Sequence, residues 1–76
     1  MIANKQVAAE IHWLMLDISG RINESILNVQ QQCSFEEFEN YRRPCAKILS
    51  QILLEILNPI HQLHPHLMPK GMKEED

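Results

Sequence analysis

Cysteines, basic residues and long apolar runs are all scarce in this sequence. Its two cysteines, Cys33 and Cys45, lack the paired spacing of a zinc site or a redox motif. Seven lysines and arginines against ten acidic residues leave it without the basic surface that supplies most of the affinity for nucleic acid. The most apolar run, residues 48–57, contains three polar side chains and is shorter than the roughly 20 apolar residues of a membrane span. We therefore expect a soluble protein with no membrane segment, for which nucleic acid is an unlikely partner.

A secretory signal is also missing from the first 19 residues, because Glu10, His12 and Asp17 fall within what would have to be its apolar region. We therefore expect a cytoplasmic protein. In that reducing compartment, free cysteines usually act as small core hydrophobes.

Apolar residues recur in steps of three and four along the first 30 residues, the spacing that places side chains on one helical face. The series is Val7, Ile11, Leu14, Met15, Ile18, Ile22, Ile26 and Val29. Its weak point is Gly20, since an interior glycine costs about 1 kcal/mol relative to alanine. Because the period continues in phase through Ile22, the pattern favours one continuous helix over a break.

A second helix is predicted to begin at Phe35. Ser34-Phe35-Glu36-Glu37 has the form of a capping box, and Glu39 is placed to pair with Arg43 one turn later. Its apolar stripe comprises Phe35, Phe38, Cys45, Ile48, Leu49, Ile52, Leu53, Ile56 and Leu57. The predicted end is Asn58-Pro59, because the residue before a proline is disfavoured in the α conformation.

Pro44 lies inside the second helix, where it removes a backbone hydrogen bond and predicts a kink. Beyond Pro59, residues 60–64 are expected to form one further turn. The sequence thus predicts an all-α single domain over residues 1–69 and a disordered acidic tail over residues 70–76.

The predicted architecture is an antiparallel helical hairpin with a short C-terminal turn. Two helices have only one interface, yet the apolar side chains of residues 48–57 cover more of the second helix than one neighbour can hide. We therefore expect a homodimer that forms a four-helix bundle. The alternative is a three-helix monomer with a break at Gly20.

No pattern in the sequence predicts catalysis or a cofactor, so a non-enzymatic homodimeric interaction module, a small regulator or adaptor, is the leading hypothesis for function. A tyrosine and two arginines near Pro44 are residue types enriched at binding hot spots. Together with the apolar face of the second helix, they define a predicted interaction surface of Phe38, Tyr41, Arg42, Arg43, Leu49, Leu53, Leu54 and Leu57.

Two alternative functions involve other ligands. His61, His64 and His66 are candidate transition-metal ligands, because residues three apart on a helix share a face. No neighbouring cysteine or carboxylate completes a tetrahedral set, and structural histidines are the favoured interpretation, as they are for His12. RNA binding by a dimer would require Lys5, Arg21, Arg42, Arg43 and Lys47 to share one face.

The C-terminal half carries, in order, Phe35, Tyr41-Arg42, Glu55-Ile-Leu-Asn-Pro59 and His64-Pro-His-Leu-Met-Pro69. In this order it resembles small bacterial helical proteins of unknown function. The resemblance implies a helical fold and a bacterial source, and it implies no activity.

Overall fold

The computed structural model describes residues 1–68, and every regular element in that part of the chain is helical. Helix α1 spans Lys5–Gln32 and helix α2 spans Phe35–Gln51. A π-helical segment, Ile52–Leu57, leads directly into helix α3, Asn58–Leu63, and a single 3-10 turn follows at Pro65–Leu67. The predicted all-helical class with two long helices is confirmed. The predicted tail, residues 70–76, lies outside the described residues.

Helix α1 begins after Asn4, whose side chain accepts a hydrogen bond of 2.9 Å from the Val7 N–H. It runs through Gly20 without interruption, so the predicted continuous helix is confirmed and the break required by the three-helix alternative is absent. A methyl group added at Gly20 would meet nothing within 4 Å. No close contact therefore requires glycine at this position.

Helix α2 begins at the predicted capping box. The Ser34 N–H donates to Glu37 Oε1 over 2.9 Å, and the Glu37 N–H donates to Ser34 Oγ over 3.1 Å. The helix then continues through Pro44 to Gln51. The predicted pairing of Glu39 with Arg43 is present at 3.9 Å, although Arg42 approaches Glu39 more closely, at 2.8 Å.

The predicted helix end at Asn58-Pro59 is wrong. Asn58 has helical torsion angles, φ −60° and ψ −46°, and the helix continues into α3. The π segment immediately before it explains the difference. In an α-helix the Pro59 ring would crowd the carbonyl of Glu55, and the wider π turn, closed by a hydrogen bond from the Asn58 N–H to the Leu53 carbonyl, changes that register.

The π segment also moves the buried face of the helix by one residue. Ile52 is buried, and the next buried residue is Leu57, five positions later instead of the three or four of an α-helix. Ile60 and His61 then continue the buried face in the new register. The extra residue in the π turn thus directs the side chains of α3 toward the interior.

Helix α1 packs against both α2 and the π segment, but the interior that results is small. Within residues 1–68 the buried apolar side chains are Ala8, Cys45, Ile52, Leu57 and Ile60. Both thiols are free. Cys45 lies in this core, as expected from its place in the apolar stripe of the second helix, whereas Cys33 is exposed in the connection between α1 and α2. None of the described helices combines the length and the apolar character needed to cross a membrane.

Candidate functional site

The buried polar side chains of the described chain are three histidines, His12, His61 and His64. His12 lies in the N-terminal half of α1, His61 lies in α3, and His64 directly follows α3. α2, the π segment and α3 form one uninterrupted helical stretch, Phe35–Leu63, which we call the second helical stretch. All three histidines lie where the end of this stretch meets the beginning of α1.

His12 and His61 form a hydrogen-bonded pair. Nδ1 of His12 lies 3.0 Å from Nε2 of His61, and the ring centroids are 5.0 Å apart. The two residues are only 1% and 2% exposed. A neutral imidazole has one N–H donor and one acceptor nitrogen, so one ring donates and the other accepts.

Electrostatics favour the uncharged form of this pair. Burial lowers the pKa of His12 from its usual value, and the adjacent His61 lowers it further. Burial alone lowers the pKa of His61. No carboxylate in residues 1–68 forms an ion pair with either ring. At neutral pH both rings are therefore uncharged, and together they join α1 to α3.

His64 makes a different contact. Its Nε2 lies 2.8 Å from the backbone oxygen of Ile2, and because a carbonyl can only accept, the histidine donates. Its ring also meets the exposed His66 edge-on, with centroids 5.9 Å apart. His64 thus joins the end of α3 to the segment that precedes α1.

The predicted metal ligands are not assembled into a site. His61 pairs with His12, His64 donates to Ile2, and only His64 and His66 stack against each other. Among the described residues no group of three or more His, Cys, Asp or Glu side chains is arranged to hold a metal ion. The physical reason is that α3 directs His61 toward α1, whereas Pro65 and the 3-10 turn leave His66 at the surface.

An apolar groove of about 230 Å³ lies between α1 and the second helical stretch, with His61 in its wall. The groove residues are Leu16, Ser19, Asn23, Leu49, Ile52, Leu53, Leu57 and His61. Its volume is below the roughly 300–1,000 Å³ of typical small-molecule pockets.

The residues of the predicted interaction surface differ in exposure and do not all lie on one free surface. Leu49 and Leu53 are half-buried and line the groove, and Leu54 is 61% exposed. Leu57 does not belong to a free surface, because the π register buries it within the chain. Phe38, in the first part of α2, is half-buried.

Tyr41 joins α2 to α1 through Ser25. The two hydroxyl oxygens are 2.7 Å apart, and Ser25 Oγ also donates to the carbonyl of Ile22 over 2.7 Å. Because the serine has a single proton, Tyr41 is the donor in this pair. Tyr41 therefore has a structural role, although part of its ring is exposed.

The basic residues predicted for RNA binding do not form a free cationic strip. Arg21 pairs with Asp17 at 3.2 Å, and Arg42 and Arg43 both pair with Glu39. Two carboxylates, Asp17 and Glu39, thus pair with three of the five cations.

Comparison with known proteins gives no further guide to function. No protein-family model matches the chain, and no curated protein or solved structure matches it.

Proposed function

We propose that this chain is a non-enzymatic interaction module whose helices form an antiparallel hairpin and associate with a second copy in a four-helix bundle. The observation that carries the proposal is the imbalance between a small interior and a large apolar exterior. Large hydrophobic side chains remain exposed at Trp13, Leu14, Leu27, Phe35, Ile48, Leu54 and Leu63, among others. Where such side chains form one contiguous patch, the patch usually marks a surface that another protein covers.

Nested contacts between the helices support the hairpin. The Ser25–Tyr41 hydrogen bond joins residues 16 apart, and the His12–His61 bond joins residues 49 apart. Both bonds enclose the short connection between α1 and α2. Pairs whose separation grows with distance from a connection are typical of an antiparallel arrangement.

The groove between α1 and the second helical stretch is the proposed seam of the dimer. Its apolar wall includes Leu16, Leu49 and Leu53, and the exposed Leu54 lies next to it in the sequence. An identical groove on a second copy would receive side chains from the first, as a two-fold interface requires. Phe38, Tyr41, Arg42 and Arg43 form the proposed surface for a different protein.

Light scattering over a concentration series tests the dimer. The wild-type protein is expected to have twice the mass of one chain at micromolar concentration, and Leu53→Lys is expected to shift it to the monomer, because it places a charge in the wall of the groove. Leu63→Lys is the matched control, since Leu63 is also an incompletely buried leucine but lies outside the groove. It should remain dimeric.

A wild-type monomer at high micromolar concentration would overturn the proposal. So would equal effects of the two leucine substitutions, because the seam would then lie elsewhere. Circular dichroism of both variants distinguishes loss of association from loss of the helical fold.

A further inference from the structure

We propose that the His12–His61 hydrogen bond is an acid-released latch, which holds α3 against α1 while at least one imidazole is neutral and releases it when both are protonated. This inference does not depend on the proposed dimer. It rests on the bond's N–H···N chemistry, on its burial and on the absence of a compensating anion within residues 1–68.

The number of protons follows from the bond itself. With both rings neutral, one nitrogen donates and the other accepts across 3.0 Å. One added proton leaves an acceptor, so the bond persists. A second proton makes both facing nitrogens donors, and two positive rings then meet in a buried contact. Release therefore requires two protons.

Within residues 1–68, no charged group compensates for these protons. Apart from the pair itself, the titratable side chains on the elements around it are Lys5, Glu10, Asp17, Arg21 and Glu24 on α1, Glu55 in the π segment, and His64 and His66 after α3. Asp17 pairs with Arg21, and Glu10 and Glu55 are exposed. None of them forms an ion pair or hydrogen bond with His12 or His61 in the described chain. The lowered pKa of each ring agrees with this environment.

His64 provides an internal contrast. It donates to a backbone carbonyl, and a protonated imidazole retains that N–H. Acid therefore leaves the His64–Ile2 bond in place and acts on the His12–His61 bond. The N-terminal segment stays attached to the end of α3 while the neighbouring contact to α1 is lost.

The pH range in which the latch opens follows from the direction in which the two pKa values are shifted. The folded pKa of each ring lies below the unfolded value of about 6.5, so the stabilisation is complete above that pH and is lost as the pH falls below it. Each proton taken up on opening raises the equilibrium constant for opening about tenfold per pH unit. Two protons give up to about a hundredfold.

Release would expose apolar surface. Ile60 directly precedes His61, Ala8 lies one turn before His12, and both are fully buried. Leu57, one turn before His61, is 5% exposed. An acidic environment would thus uncover an apolar surface at the end of the molecule that contains both termini of the described chain.

Amide hydrogen exchange measured by NMR tests the latch. After correction for the intrinsic pH dependence of exchange, the opening constant of α3 amides is expected to rise as the pH falls from 6.5 to 5.5, by up to about tenfold where the closed pair already holds one proton and by up to about a hundredfold where it holds none. The amides of α2 before Gln51 should change much less. The double variant His12→Asn with His61→Gln places amide groups near the positions of Nδ1 and Nε2, cannot titrate, and should lose this pH dependence.

His66→Gln is the matched control, since His66 is exposed and lies outside the pair; it should keep the wild-type profile. An opening constant that does not rise with acid in the wild type, or a rise that persists in the double variant, would refute the latch. If the double variant does not fold, the pH titration of the His12 and His61 imidazole resonances in the wild-type protein tests the latch instead. Coupled titration of His12 and His61 below pH 6.5 supports the proposal, and independent titration at ordinary values overturns it.

Discussion

Each of the two long helices begins at a single side chain that satisfies backbone N–H groups. Asn4 accepts from Val7, and Ser34 exchanges hydrogen bonds with Glu37. The first four N–H groups of a helix lack intrahelical partners, so these short-range bonds set where each helix starts. Both partners of each bond lie within four residues of sequence, so a substitution can measure the contribution of the cap to the free energy of unfolding without changing the tertiary contacts.

Ser34→Ala removes the hydroxyl acceptor and is expected to lower the free energy of unfolding by about 1 kcal/mol. Urea denaturation followed by circular dichroism measures the change. Ser50→Ala is the control, because Ser50 is exposed in the middle of the helix and alanine is the better helix former there. Equal destabilisation by both substitutions would contradict a specific capping role.

The histidine pair shows the limit of prediction at the residue scale. A structural, partly buried His12 was predictable from its place at the margin of an apolar helical face, and the structure confirms that role with nearly complete burial. Its partner was not predictable. His61 is 49 residues away, and the spacing of the C-terminal histidines gave no indication that one of them pairs with His12.

At the scale of elements, the beginnings of helices were more predictable than their ends. The start of α2 depends on four adjacent residues, Ser34 to Glu37, and the sequence displays all of them. The passage through Pro59 follows a π turn, and in the changed register Leu57, Ile60 and His61 are buried. Local preference favoured a stop, and tertiary packing overrode it.

Gly20→Ala is expected to stabilise the protein by up to about 1 kcal/mol. The position is helical and exposed, and an added methyl group meets no neighbour within 4 Å, so alanine gains helix propensity at no steric cost. Thermal denaturation measures the gain. Ala46→Gly, at an exposed helical position in α2, is the reciprocal control and should destabilise by a similar amount. Destabilisation by Gly20→Ala would instead show that a second molecule packs closely on this surface.

At the scale of the whole molecule, the described chain is extended. Its Cα radius of gyration is 14.9 Å and its extents are 44 × 28 × 17 Å. A compact domain of this length would have a radius of about 11 Å. The helices are thus too long, relative to their number, to enclose a substantial interior, which is the physical basis of the proposed association.

The melting temperature is therefore expected to rise with protein concentration. A hundredfold increase adds about 2.7 kcal/mol to a dimer's stability by mass action, which corresponds to roughly 5–10 °C for a protein of this size. Differential scanning calorimetry over that range measures the shift. Leu53→Lys, which places a charge in the groove, should melt at a temperature that does not depend on concentration. A wild-type protein that behaves in the same way would contradict self-association.

The exposed thiol of Cys33 allows the relative orientation of the two copies in the proposed dimer to be measured. Cys33 directly follows α1, whose 28 residues span about 42 Å, nearly the full 44 Å of the molecule. Cys45 is buried, so a thiol reagent should label each chain predominantly at one end. Two copies aligned in the same direction bring the labels together, where they cross-link readily. Copies aligned in opposite directions hold the labels tens of ångströms apart, a separation that spin-label spectroscopy can read directly.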